Sequence, residues 1–315
     1  MSQPFRECFN VVSKDVLHWF PGHMGRGLKQ MQQKLKSVDC IIEVHDARIP
    51  FSGRNSDFKH TVSSVKPHIL VLNKKDLIDH RLYPRIEQKL KEEGISRVLF
   101  TNCRDHKCSG VKRVVPLASD LISSSDRFNR SEQKEVCMMV IGVPNVGKSS
   151  LINALRNKYL KKSGVAHVGA VAGITRSVQN RIKIRQDPPV FLLDTPGILT
   201  PTIRDVEAGL RLAVCACLQD HLVGEDIIAD YLLYILNKSG NFNYTKLMGL
   251  DEPTDDIGVV LTKGAVKLGK MKKIHNYDGQ YIVKPDLVAS AHHFLKAFRQ
   301  GNLGRITLDE DWLNS

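Results

Sequence analysis

The stretch Met138–Ser150, MMVIGVPNVGKSS, constrains this chain more than any other. A short apolar run, Met138 to Ile141, has the length and composition of a buried strand. Gly142-Val-Pro-Asn-Val-Gly147-Lys148-Ser149 follows without a gap, and Ser150-Leu-Ile-Asn-Ala-Leu155 continues at helical spacing. Strand, GxxxxGK[ST] loop and helix in that order are the setting in which this motif cradles a phosphate chain. The glycines let the backbone curl around an anion, and loop N–H groups and the helix N-terminus face it. Lys148 supplies a point charge and the Ser149 hydroxyl can ligate Mg²⁺. The candidate phosphate contacts are therefore Pro144, Asn145, Val146, Gly147, Lys148, Ser149 and Ser150.

The surrounding chain is of ordinary folded composition. At 315 residues it is long for one core, so two domains are expected. With 42% hydrophobic and 25% charged residues it is neither disordered nor membrane-like. No apolar run approaches the roughly 18–20 residues that span a bilayer. Seven cysteines, an odd number and scattered, argue for a reducing compartment and against a disulfide framework. Cys103-Arg-Asp-His106-Lys-Cys108 offers three zinc-type ligands where a structural site takes four. Residues 1–15 hold Arg6 and Lys14 but also Glu7 and Asp15, a poor match to an Arg-rich, acid-poor presequence.

Charge is distributed unevenly. Residues 1–205 carry 34 Lys+Arg against 19 Asp+Glu, whereas residues 206–315 carry 12 against 14, so the +13 total belongs to the first part. A positive excess on a phosphate-binding domain suggests a second polyanion, most simply RNA. Between Arg156 and Arg185 there are eight basic residues and no acidic one. A cationic segment of that kind suits contacts to RNA phosphates.

The alternation of elements predicts a doubly wound α/β domain of six strands. Strands are expected at Cys40–His45, Ile69–Leu72, Val98–Phe100, Met138–Ile141, Ser177–Ile184 and Val190–Leu193. Helices are expected at Gly25–Leu35, Tyr83–Glu93 and Val111–Ile122, with Ser123–Glu135 as a polar connection. From about Asp205 the pattern changes to amphipathic helices: Val206–Leu218, Glu225–Leu236, Asp256–Leu268 and Asp286–Phe298. The expected organisation is an extension at 1–15, an α/β domain at 16–204 and a helical domain at 205–315.

Two further motifs end predicted strands. Asn73-Lys74-Lys75-Asp76 fits a guanine reader. The Asp76 carboxylate can accept from both N1–H and the exocyclic amine of guanine, a donor pair that adenine lacks, so GTP is preferred over ATP. Asn73 would contact the base edge and tie the loop together, while the Lys74 stem covers the ring face; Lys75 lies between. Asp194-Thr195-Pro196-Gly197 follows Lys148 by about 45 residues. Asp194 would hold Mg²⁺ through water, the Gly197 amide would reach a γ-phosphate, and Thr175 would complete the metal shell. Thr101-Asn102-Cys103, at the end of the third strand, is the candidate loop behind the base.

The order of these motifs is unusual, because the guanine reader precedes the phosphate loop. The sheet must be circularly permuted, which rewires loops while leaving strand pairing intact. Together with His18-Trp-Phe-Pro-Gly-His-Met24, Val44-His-Asp-Ala-Arg-Ile-Pro50 and Gly173-Ile-Thr-Arg176, they make the chain resemble the circularly permuted GTPase family of ribosome-assembly factors, of the YlqF/RbgA type. The similarity runs from about Val16 to Phe298, and the mitochondrial members match best. The resemblance implies GTP hydrolysis coupled to maturation of a large mitochondrial ribosomal subunit, and a C-terminal domain that binds rRNA. It also implies a monomer in the mitochondrial matrix, peripheral to the inner membrane.

Ile198 stands where Ras-like enzymes place a water-orienting glutamine, and an apolar side chain cannot orient water. The resemblance makes His23 the candidate replacement, with Lys148 and Thr175 as the other catalytic candidates. It also makes Asn145 a candidate K⁺ ligand, K⁺ supplying the charge that an arginine finger supplies elsewhere. The rival expectation, motivated by Ile198, is a GTP-sensing RNA-binding or ribosome-binding protein whose hydrolysis is incidental.

Overall fold

The computed structural model describes residues 5–9, 31–54, 66–127, 130, 132–161, 181–195, 197, 206–275 and 281–314. The chain divides into two compact units. One comprises His18–Cys217 with Ile306–Ser315, the other Met1–Leu17 with Leu218–Arg305.

The first unit is built on six strands: β1 (Cys40–Asp46), β2 (His68–Asn73), β3 (Val98–Phe100), β4 (Val136–Ile141), β5 (Ile182–Arg185) and β6 (Val190–Asp194). Their order is β3-β2-β1-β4-β6-β5, all parallel except β5, which runs antiparallel to β6. Helices α1 (Tyr83–Glu92), α2 (Ser109–Ser123) and α3 (Lys148–Leu160) supply crossovers. Strands covered on both faces need nearly continuous apolar sequence. That is why CIIEVHD, HILVLN and VCMMVI form the centre, with every residue of β1 buried.

The polar residues of β1 are compensated. The two carboxylate oxygens of Glu43 lie 2.8 and 2.7 Å from the Nε2 atoms of His45 and His68. Burial acts to raise the Glu43 pKa, but these partners outweigh it and hold the carboxyl well below the usual range. The chain runs outward from β1 through β2 to β3, then returns to lay β4 against the other side of β1. The reversal creates a switch point at the carboxyl ends of β1 and β4, where such sheets place ligands.

Helix α4 (Val206–Val214) belongs to this unit, so the units part at 217/218 where the sequence suggested 204/205. The helix stops short of the expected Leu218. Ala216 takes a left-handed conformation (φ +60°), with Cys217 N donating to Leu212 O and Ala216 N to Ala213 O. This pair of bonds is a Schellman stop, made without the glycine that would announce it. The C-terminal segment returns to the same unit. Ile306 N donates to Leu77 O and Leu308 N to Arg48 O. Buried Asp309 accepts from the N–H groups of Phe51 and Ser52 and from Arg211 Nη1 at 2.8, 2.9 and 3.1 Å.

The second unit comprises α5 (Asp220–Val223), α6 (Glu225–Lys238), α7 (Asn243–Met248), α8 (Ile257–Lys267), strands β7 (Met271–His275) and β8 (Tyr281–Pro285), and α9 (Leu287–Gln300). Nine of the fourteen residues of α6 are buried, with Ile228, Leu232, Leu233 and Leu236 at its heart. Asp256 and Asp286, where the sequence begins the last two expected helices, cap α8 and α9 by accepting from first-turn N–H groups. The β7–β8 hairpin and α7 were not expected. Residues 5–9, assigned to the extension, pack onto this unit. Arg6 is bidentate with Asp230 at 2.7 and 3.1 Å, and Phe9 stands edge-on to Tyr231 at 5.1 Å.

Candidate functional site

The phosphate loop joins β4 to α3 at the switch point, and its backbone leaves no room for side chains at two glycines. Gly142 has φ +143°, and a Cβ there would lie 2.2 Å from Val44 O. Gly147 has φ +103°, and a Cβ there would meet Asn73 Nδ2 at 2.2 Å. Asn145 also takes a positive φ of 58°. The loop is thus tightly wound, with three positive φ angles in six residues, a kind of backbone that can cradle an anion.

Lys148 is buried at the start of α3, and its Nζ donates to the carbonyls of Gly142 and Val143 at 3.1 and 2.9 Å. Burial pushes its pKa down to about 8, against the pull of Asp194. Asp194 ends β6 beneath the loop. Its Oδ2 accepts from Ser149 Oγ at 3.3 Å, while the buried Oδ1 has no partner. Burial raises its pKa, opposed by Lys148 and Ser149. An unpartnered carboxylate oxygen beside a hydroxyl, next to a cationic lysine, is what a hydrated divalent cation would complete. Gly197 packs on the loop, where a Cβ would come within 2.6 Å of Pro144 N. Ser150 is half-buried on α3, and Val146 is fully buried.

The guanine-reading candidates meet this loop through one side chain. Asn73 Nδ2 donates to Val146 O at 2.8 Å, while its Oδ1 accepts from Cys103 N at 3.1 Å and Thr101 Oγ1 at 3.2 Å. A single buried amide therefore ties the end of β2, the loop after β3 and the phosphate loop. Lys75 N donates to Thr101 O, and Tyr83 Oη donates to Lys75 O. Asp76 sits in the short helix Lys75–Leu77 with its carboxylate exposed. Asn102 caps its own turn by accepting from Arg104 N, and its N–H donates to Cys108 Sγ. Cys103 and Cys108 thus serve this loop, and among the described residues no cluster of three or more His/Cys/Asp/Glu side chains could hold a metal ion.

Two features were missed by reasoning from motif chemistry. Lys74 takes φ +61° and places Nζ 2.8 Å from Asp46 Oδ2, itself bidentate with Arg48 at 2.9 and 2.7 Å. Burial acts to raise the Asp46 pKa, but Arg48 and Lys74 hold it well below the usual range. The signal was present in Asp46-Ala-Arg48 at the end of β1. The other feature is the bond from Asn145 Nδ2 to Ala216 O at 2.8 Å, which no spacing rule could anticipate. His23, Thr175 and Ile198 lie outside the described residues, as do 162–180 of the basic segment. Of that segment, Lys183 and Arg185 are on β5, Arg181 just precedes it, and Arg156 and Lys158 are on α3.

Residues 137–263 match the family model described as 50S ribosome-binding GTPase. Mitochondrial GTPase 1 of Aedes aegypti is 62% identical over 99% of both chains. Mitochondrial ribosome-associated GTPase 1 of Mus musculus is 52% identical over 98% of this chain and 94% of its own. The crystal structure of GNP-bound YlqF from T. maritima superposes with a TM-score of 0.57 over 90% of this chain and 97% of that one, at 24% identity, a likeness of fold.

Proposed function

Because the chain belongs to the circularly permuted family of mitochondrial ribosome-associated GTPases, we propose that it uses GTP hydrolysis to time its stay on an immature large mitochondrial ribosomal subunit. It binds the subunit when loaded with GTP and leaves as GDP forms, supporting ribosome maturation and mitochondrial translation. The observation that carries the nucleotide part of this reading is the Asn73 junction. It couples the loop that would read guanine to the loop that would hold the phosphates.

In this reading Asp76 selects guanine by accepting from two donors, and the Lys74 stem lies over the ring, its head held by Asp46. The loop N–H groups from Asn145 to Ser150 hold the phosphates. Lys148 exchanges two carbonyls for phosphate oxygens, which raises its pKa again because anions replace neutral acceptors. Ser149, Asp194 and Thr175 would hold Mg²⁺, which supplies neutralisation of charge on the β- and γ-phosphates. Asn145 would offer Oδ1 to K⁺. The Gly197 amide senses the γ-phosphate through its packing on Pro144. His23 takes the role left open by Ile198, orienting water when the protein is engaged with the subunit. The basic residues between Arg156 and Arg185 and the helical unit meet rRNA.

The setting is the mitochondrial matrix, with the monomer peripheral to the inner membrane; no helix among the described residues is long and apolar enough to cross it. The rival reading, a GTP sensor with incidental hydrolysis, is favoured by Ile198. Co-sedimentation with purified large subunits tests the cycle. The chain should pellet with subunits in the presence of a non-hydrolysable GTP analogue and remain in the supernatant with GDP. Equal pelleting in both states would overturn the proposal.

A further inference from the structure

The β7–β8 hairpin has no structural reason to be as exposed as it is. Every residue of β7 and all but the last of β8 face solvent, Tyr281 at 67% and Val283 at 54%. A two-stranded ribbon without a buried face is marginal in water, so such a ribbon is normally covered by a partner when it works. Its charge says what covers it. Neither strand, MKKIH nor YIVKP, holds an acidic residue. Six of the twelve Lys+Arg in residues 206–315 fall between Lys263 and Lys284, although 206–315 as a whole is slightly acidic. Lys272 stands directly across from Lys284, a like-charge pairing that disfavours the free ribbon. Asp286 balances only Lys272, at 3.0 Å.

We propose that the hairpin is an RNA-docking ribbon, in which Lys272, Lys273 and Lys284 contact phosphates and the cross-strand pair His275–Tyr281 stacks an unpaired base. The two rings lie 4.1 Å apart between centroids at the end of the ribbon away from the helices, and Tyr281 is its most exposed large hydrophobic residue. Lys273 shares the face of this aromatic pair, while Lys272 and Lys284 meet phosphates from the opposite face of the ribbon. Cationic side chains combined with an aromatic platform are the elements of single-strand recognition. An anionic bilayer is the weaker fit. Its binding elements segregate apolar and basic faces. Here Ile274 and Ile282 share a face with Lys272 and Lys284, and the sequence joining the strands, Asn-Tyr-Asp-Gly-Gln, includes an acidic residue. The inference rests on the ribosomal reading above and names one of its contact surfaces.

The test is filter binding of the full chain to a transcript of mitochondrial large-subunit rRNA across a KCl series, with cardiolipin-containing vesicles in parallel. K272A/K273A/K284A should bind the transcript more weakly and reduce the log–log salt slope by about 2, at roughly 0.7 for each phosphate no longer neutralised. Y281A should weaken binding about tenfold with an unchanged slope. The lysine-to-arginine triple should retain the slope, and all variants should keep wild-type basal GTP turnover and melting temperature. If wild type binds the transcript and both sets of variants bind equally well with the same slope, the hairpin proposal fails while the ribosomal reading stands. If the variants lose vesicle binding and keep RNA binding, a membrane is the occupant and the proposal is overturned. If wild type does not bind the transcript, both fall.

Discussion

Asn73→Ala isolates the junction on which the site depends. The buried amide makes three bonds, to Val146 O at 2.8 Å, from Cys103 N at 3.1 Å and from Thr101 Oγ1 at 3.2 Å. The threonine hydroxyl can turn toward Cys103 Sγ, 3.9 Å away, so the lasting damage is two backbone groups left buried without partners. At about 1–3 kcal/mol for each, the expected cost is about 3 kcal/mol. For a unit of this size, that is a melting temperature lowered by about 6–12 °C. Nucleotide affinity should fall at least about tenfold, because the loops holding the base and the phosphates are no longer set against each other. Thermal unfolding with and without GDP, and titration with a fluorescent GDP analogue, measure both. A variant that melts within about 2 °C of wild type and binds GDP normally would refute the junction.

Asp76→Asn should move preference from GTP toward XTP, since an amide donates to the xanthine 2-oxo group where the carboxylate accepted from guanine; competition binding reads it. Lys148 gives a pH dependence. Its pKa is about 8 in the free protein and higher against phosphate, so binding takes up a proton above pH 8. Affinity should be flat below pH 8 and fall as pH rises from 8 to 9; flat affinity through pH 9 would contradict the assignment. Gly197→Ala places a Cβ 2.6 Å from Pro144 N, and should lower GTP turnover at least about tenfold while GDP affinity stays within about threefold. Asp309→Ala leaves the Phe51 and Ser52 N–H groups without their buried acceptor, while Arg211 keeps Glu207 and Asp311, and should destabilise the unit by about 3 kcal/mol in urea unfolding.

Most of the sheet was legible because parallel strands covered on both faces must be apolar along their length, and such runs stand out. The phosphate loop and the NKxD segment were legible because each is local, with its chemistry contained in consecutive residues. Their reversed order was enough to require permutation. What escaped were contacts between residues far apart in sequence. Nothing in Asn145 announces a bond to Ala216, and nothing in Asp309 announces Ser52. The stop at Ala216 lacked its usual glycine, so α4 read one turn too long. The hairpin was hidden for a different reason. Neither of its faces is buried, so its side chains carry no alternation of apolar and polar for pattern reading to find. Arg6 was weighed as part of a targeting signal, whereas its partners Asp230 and Asp255 lie more than two hundred residues away.

In the proposed cycle, ribosomal engagement drives hydrolysis through this site. The direct measurement is GTP turnover in KCl, with and without large mitochondrial ribosomal subunits, for wild type and His23→Ala. Turnover should be slow for the protein alone, strongly stimulated by subunits in wild type, and unstimulated in the variant. Stimulation that survives in His23→Ala would move water activation to a ribosomal group. No stimulation of wild type would contradict the account, leaving a permuted GTPase whose partner lies elsewhere.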